Sequence, residues 1–221
     1  MRHSTLKTPY NYPTPLDRLL TTLDNALNTV AGTPTGSGRA NPADSVKQDT
    51  LTPSEREEAA RLMRVNHVGE ICAQALYQGQ SLTSRNETVR RALHKASIEE
   101  NDHLKWCKNR IDTLGGRESR LNFLWYSGAF AIGAVAGAMG DSTNLGFVEE
   151  TEQQVQKHLD NHLKRLPNSD HKSRAILHQM RLDEQRHARM ARCAGATTLP
   201  GPIRSIMHLA SRVMTATAYR V

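Results

Sequence analysis

Two tetrapeptides, Glu100-Asn-Asp-His103 and Glu184-Gln-Arg-His187, share the spacing Glu-x-x-His. Residues three apart on a helix lie on one face, so each pair offers a carboxylate and an imidazole to a common point. With twelve Glu and ten His in 221 residues, a single match carries little weight, because short motifs recur by chance. An internal repeat adds the weight. Glu70 stands 30 residues before Glu100, and Glu149 stands 35 before Glu184, each in the middle of a helix-like stretch. The chain thus reads twice as Glu, turn, Glu-x-x-His, although spacing alone does not choose between Glu149 and its neighbour Glu150.

Apolar residues surround these groups at helical spacing: Leu62, Met63, Ala73 and Tyr77 around Glu70; Leu93, Ala96, Leu104 and Cys107 around Glu100; Leu177, Met180, Ala188 and Ala191 around Glu184. A carboxylate left unpaired in such a core costs several kcal/mol or takes up a proton. Four carboxylates and two imidazoles would instead hold two divalent ions, each with one His, one terminal carboxylate and shared bridging carboxylates. Mixed nitrogen and oxygen donors with open positions point to iron, whereas all-oxygen ligation favours Mg or Ca and thiolates favour Zn. Glu99 and Asp183, each four residues before a histidine, and Asp102 beside His103 are candidates to orient the imidazoles. The plainer reading is a metal-free bundle whose Glu and His face water. His94, His158, His162, His171 and His178 fit that reading and are expected to be exposed.

The elements that must position the set are helices. Leu16 to Val30 has the spacing of a short amphipathic helix, and residues 31–50 have the Gly, Pro, Ser and Thr content of a flexible linker. A helix is expected from Thr52-Pro53-Ser54 to about Leu82, and a second over about 86–114, ending at Gly115-Gly116. A third runs from Asp141-Ser142 to Pro167 and a fourth from Asn168-Ser169 to Gly195. Two hairpins joined by one long crossover make an all-α, ferritin-like four-helix bundle. The expected division is a tail, 1–50, and one domain, 51–221.

Composition excludes several alternatives. A net charge of +7 and a pI near 9.6 allow contact with nucleic acid or an anionic membrane. The basic residues are scattered, however, and only 5% of residues are aromatic, so no nucleic-acid partner is expected. Cys72, Cys107 and Cys193 have neither disulfide nor zinc-site spacing and read as reduced, cytosolic core residues. The first twenty residues lack the apolar stretch of a signal peptide, and Asp17 and Asp24 disfavour a transit peptide. No GxGxxG or Cys cluster supplies a flavin, Rossmann or iron–sulfur module.

RLMRVNHVGE (61–70), the following Tyr77-Gln78-Gly79-Gln80, IEENDHLKW (98–106), FVEET (147–151) and LDEQRHARM (182–190) together resemble the demethoxyubiquinone hydroxylases, ferritin-like di-iron monooxygenases of ubiquinone biosynthesis. Asn66 stands where that family often has Asp. The resemblance implies metal ligation by Glu70, Glu100, His103, Glu149, Glu184 and His187, with Glu149 chosen over Glu150. It implies two iron ions per chain, dioxygen as co-substrate and a polyprenylated demethoxy-benzoquinol hydroxylated on its ring. Electrons would come from the quinol, from NADH or from a separate reductase. Other proteins of the pathway and a second copy of the chain are further partners it allows.

Two segments suit a lipid substrate. Leu121 to Gly140 contains no charge, with Trp125 and Tyr126 near one end and Gly133-x-x-x-Gly137 inside, and reads as an interfacial helix rather than a span. Near the C-terminus, Ile203, Ile206, Met207, Ala210, Val213 and Met214 form an apolar stripe beside Arg204, Arg212 and Arg220. Peripheral contact with the cytoplasmic face of a bacterial cell membrane is the resulting expectation.

Overall fold

Pro53 at the first helical turn, capped by a reciprocal pair in which the Thr52 hydroxyl accepts from Glu55 N–H and the Glu55 carboxylate accepts from Thr52 N–H, starts the longest helix of the chain. A computed structural model describes residues 15–32, 35–47 and 50–221. Its helices are α1 (Pro15–Ala31), α2 (Pro53–Thr83), α3 (Glu87–Thr113), α4 (Asn122–Ala138), α5 (Asp141–Arg165), α6 (His171–Cys193) and α7 (Gly201–Ala218), with a short 3-10 turn at Pro42–Ser45. Among the described residues no strand is present. The first fourteen residues of the expected tail lie outside the described set.

The bundle is α2, α3, α5 and α6. The Asn86 side chain caps α3, and Gly115 takes φ +72° just past its end, as a helix stop requires. Asp170 caps α6 through Ser173 N–H, and its carboxylate also receives Arg110 of α3 at 2.7 Å. Contacts fix the directions. Asn66 meets His162 and Gln80 meets Asn144, so α2 and α5 are antiparallel; His103 meets Asp183 and Arg110 meets Asp170, so α3 and α6 are antiparallel.

With α3 and α5 running the same way, the chain must travel back along the bundle between them. The 17 residues of α4 do this, about 25 Å at helical rise. α4 lies parallel to α2, and glycines set how close they come. A Cβ on Gly133 would collide with the Leu76 carbonyl, and one on Gly79 with the Phe130 carbonyl. This is close small-residue packing of two backbones. Phe123, Leu124 and Val135 on the outer face of α4 are exposed. Among the described residues no helix is long and apolar enough to cross a membrane.

The composition of 31–50 suggested a free tether, and the structure differs for residues 35–47. Ala43 is buried in the main core cluster, and the Asn101 side-chain amide donates to Thr35 O at 2.9 Å. Ser37 here finds a partner on α3, in Asp102, and Arg39 one on α6, in Asp183, where such side chains usually solvate a loop.

Candidate metal centre

Five of the six residues singled out by spacing and resemblance converge at mid-bundle. Glu70 comes from α2, Glu100 and His103 from α3, and Glu184 and His187 from α6, all buried. Each Glu-x-x-His pair holds together within its own helix: His103 Nδ1 lies 2.8 Å from Glu100 Oε2, and His187 Nδ1 lies 3.3 Å from Glu184 Oε2. Across the helices, His187 Nδ1 is 3.0 Å from Glu100 Oε1 and His103 Nδ1 is 3.2 Å from Glu184 Oε1.

The sixth position is a correction. Glu149 is directed away from this cluster, and its Oε1 receives Arg192 Nε at 2.7 Å. Glu152, one turn later on α5, occupies the place instead, 2% exposed and accepting a hydrogen bond from the Tyr77 hydroxyl. Glu150 does not enter either; it pairs with Arg204 of α7 at 3.0 Å. Three residues advance a helix by about 300°, so Glu149 and Glu152 point about 60° apart. That difference separates a polar edge from the core face. A signal was present in the sequence: Leu145, Val148, Val155 and Leu159 flank Glu152 at −7, −4, +3 and +7, and Glu152 lies 32 residues before Glu184, close to the 30 of the first half.

Two donor groups result, each with mutual ligand-atom separations within 4.8 Å: Glu70, Glu100, His103 and Glu184, and Glu100, Glu152, Glu184 and His187. Glu100 and Glu184 belong to both groups, and Glu70 and Glu152 to one each. Glu100 Oε1 and Glu184 Oε1 are buried without an aligned hydrogen bond. Buried acceptors of this kind normally have a partner, and a cation would supply one. One nitrogen and three carboxylates per group, without thiolate, suit a redox-active divalent ion of the iron type.

Electrostatics shows how the cluster balances itself without metal. Burial pushes the Glu70 carboxyl well above the usual range, with Glu100 and Glu184 adding to the effect, and burial beside Glu184 and Glu100 does the same to Glu152. Burial also acts on Glu100, but His103 and His187 outweigh it and hold the carboxylate well below its ordinary value. Against their own desolvation, His103 is held well above its ordinary value by Glu100 and Asp183, and His187 rises to about 12 beside Glu100 and Glu184. A positive charge at this place, whether protons or metal ions, favours the carboxylates, and metal binding and protonation compete.

Outside the cluster the imidazole partners are exchanged between helices. His103 Nε2 meets Asp183 of α6 at 2.9 Å, and His187 Nε2 meets Glu99 of α3 at 3.2 Å. Each acid four residues before one histidine therefore serves the other. Such partners orient a ligating imidazole. Asp102, a third candidate, does not touch His103; it accepts from Ser37 and from Arg39 Nε at 3.1 Å.

Of the histidines expected to be exposed, His94, His171 and His178 are. His158 is half-buried, and His162 is buried with Nδ1 3.0 Å from Asn66 Oδ1. Cys107 is buried, Cys72 half-buried and Cys193 exposed, all as free thiols.

A cavity of about 240 Å³ opens between α2, α4, α5 and α7. Trp125, Ile132, Phe147, Val155 and Met214 are among its walls, and so is Glu70.

A sequence model of the family described as ubiquinone biosynthesis protein COQ7 matches residues 57–218. The 3-demethoxyubiquinol 3-hydroxylase of Cupriavidus taiwanensis is 57% identical over 208 residues, covering 93% of this chain and 100% of that protein. The enzyme of the same name from Cupriavidus metallidurans is 55% identical with the same coverage, and that from Chromobacterium violaceum is 52% identical over 206 residues, again 93% and 100%. With the metal-type cluster in a helical bundle and these relatives along nearly the whole length, the chain belongs to the ubiquinone biosynthesis protein COQ7 family.

Proposed function

We propose that this chain is a di-iron monooxygenase that hydroxylates the ring of a polyprenylated 3-demethoxyubiquinol in ubiquinone biosynthesis. The observation that carries the reading is the pair of donor groups sharing Glu100 and Glu184, in a chain matched over 93% of its length by hydroxylases of that name. The ligand set is Glu70, Glu100 and His103 with Glu184 for one ion, and Glu152 and His187 with the same bridging pair for the other. Bound iron would supply reductive activation of dioxygen, one oxygen atom going to the ring and the other leaving as water, with two electrons from the quinol, from NADH or from a separate reductase.

The chain's own groups do the positioning. With metal bound, Asp183 and Glu99 would accept the Nε2 protons of His103 and His187, which leaves each Nδ1 lone pair for an ion. The Tyr77 hydroxyl orients Glu152 through Oε1 and leaves its other oxygen for the ion. The apolar cavity excludes water and offers the prenylated ring a route that ends at Glu70.

Its setting suits a lipid substrate. Phe123, Ile132 and Val135 on α4 and Ile206 and Leu209 on α7 are exposed, flanking the two helices that form the outer walls of the cavity. A single exposed Leu means nothing, but apolar ridges on both sides of one apolar opening suit peripheral contact with a bilayer.

The test is chemical. The full chain is loaded with ferrous iron without oxygen, its metal counted, and then mixed with a demethoxyubiquinol and oxygen-18-labelled dioxygen. Two irons per chain and a product heavier by one labelled oxygen are expected. Iron bound with peroxide consumed but no ring hydroxylation would replace this reading with a peroxidase-type activity, and no iron bound would remove it.

A further inference from the structure

The two repeats differ at the residue just before the histidine. In the second, Arg186 stands there, and it serves the His187 half: its Nη2 lies 2.5 Å from Glu99, the carboxylate that receives His187 Nε2. In the first, the same position is Asp102, an acid 2% exposed. No arginine of the bundle pairs with Asp102, and Arg186 reaches only Oδ1 of Asp183, not the Oδ2 that receives His103.

The cation comes from outside the bundle. Arg39 enters on the 35–47 strap and bridges the two carboxylates, with Nη1 2.7 Å from Asp183 Oδ2 and Nε 3.1 Å from Asp102 Oδ2. Asp183 Oδ2 is the same oxygen that receives His103 Nε2. The guanidinium also stacks over Trp106 at 5.0 Å, and that ring lies 5.3 Å from the His103 ring. The strap is fitted to this place: Ser37 donates to Asp102, and a Cβ on Gly36 would collide with the same carboxylate. Arg186 and Gln179 hold only the other oxygen of Asp183, at 2.8 and 3.1 Å, so they do not replace Arg39.

We propose that Arg39 is a positioning residue of the metal centre: bridging Asp102 and Asp183, it fixes Asp183 against His103, so that the strap acts as a lock on the ion of the His103 half alone. This rests on the metal reading given above. A planar guanidinium that holds Asp102 through Nε and Asp183 through Nη1 fixes the two carboxylates relative to each other, which a lysine ammonium, a point charge, does not. Loss of such an outer partner typically costs 10–100-fold in metal affinity.

The experiment is metal release from the full chain, loaded with two cobalt(II) or iron(II) ions, into excess chelator. Wild type, Arg39→Met, Arg39→Lys and Arg186→Gln are compared, with thermal unfolding of each metal-free form alongside. Arg39→Met keeps most of the side-chain volume against Trp106 and removes only charge and fork. Its release is expected to become biphasic, one ion leaving about 10–100-fold faster and the other at the wild-type rate. Lysine should restore part of the delay, Arg186→Gln, which loses only the Oδ1 contact to Asp183, should release the His103-side ion more slowly than Arg39→Met does, and free guanidinium ion should slow the fast phase of an added Arg39→Ala variant. Wild-type release from Arg39→Met, or equal acceleration of both ions together with a less stable metal-free form, would overturn the proposal and leave the metal reading standing. A wild-type chain that takes up no metal would remove both.

Discussion

The His103 and His187 halves of the centre have matching inner parts and different supports. Each imidazole turns Nδ1 toward the shared carboxylates and Nε2 toward an acid on the opposite helix. On the His187 side that acid is Glu99, partly exposed, with its arginine one residue before the histidine and half in solvent. On the His103 side the acid is Asp183, fully buried, with its second cation carried by a segment 144 residues away in the chain. Arg186 reaches both acids, Glu99 through Nη2 and Asp183 Oδ1 through Nη1 at 2.8 Å, and where water also reaches the carboxylate that one arginine suffices. Where it does not, the charge must be matched from wherever the fold can bring a cation, since a buried unpaired carboxylate is costly.

The largest effect expected concerns the inner parts, where the halves should behave alike. Glu152→Gln should lower iron affinity and turnover by more than about 100-fold, beyond the range of outer-partner losses. Glu149→Gln should stay within about 2-fold, since it loses only an exposed pair with Arg192. Metal counting on both variants checks this, and the reverse order would return Glu149 to the ligand set.

The supports should then separate the halves. Asp183→Asn is expected to weaken one ion by about 10–100-fold, and Glu99→Gln by less than about 10-fold, because water can stand in for the more exposed carboxylate. Isothermal titration with a divalent ion reads this as two classes of site in the first variant and a smaller split in the second. Equal effects would erase the distinction drawn between buried and hydrated supports.

The smallest effect on metal retention, none at pH 7, is expected from His67, which belongs to neither half but sets the pH background against which they are compared. Burial pushes this histidine down to about 4, with Lys108 adding to the effect against Glu118 and Asp112. The unfolded chain, with an ordinary value near 6.5, takes up the proton first as the pH falls. The stabilisation is therefore complete above about pH 6.5 and drains away toward pH 4, by about 3 kcal/mol in all. Urea unfolding of wild type and His67→Gln at pH 7 and pH 4.5 checks it: the variant should lose less stability between the two, and parallel losses would count against a neutral buried His67.

The helices were legible because their signals are local. The Thr52 and Glu55 pair, Gly115 and Asp170 act within a few residues, and apolar periodicity reports which face of one helix is buried. Leu62, Met63, Leu93, Leu177 and Met180, named from that periodicity, are all in the core. The linker was misread for the opposite reason. Gly36, Ser37 and Asn41 are ordinary loop residues by composition, and only the surface of α3 and α6 beneath them turns the segment into a fitted strap.

The residues themselves specified a helical bundle carrying two Glu-x-x-His pairs, since pairs three apart are governed by the geometry of one helix. The exchange of Asp183 and Glu99 between the histidines and Arg39 as the distant counter-ion came only from the folded chain, and Glu152 over Glu149, though signalled by its apolar neighbours, was decided there. Each depends on the rotation of one helix about its axis relative to another, or on a contact between residues 80 or 144 positions apart. A single turn of backbone is too short to encode either.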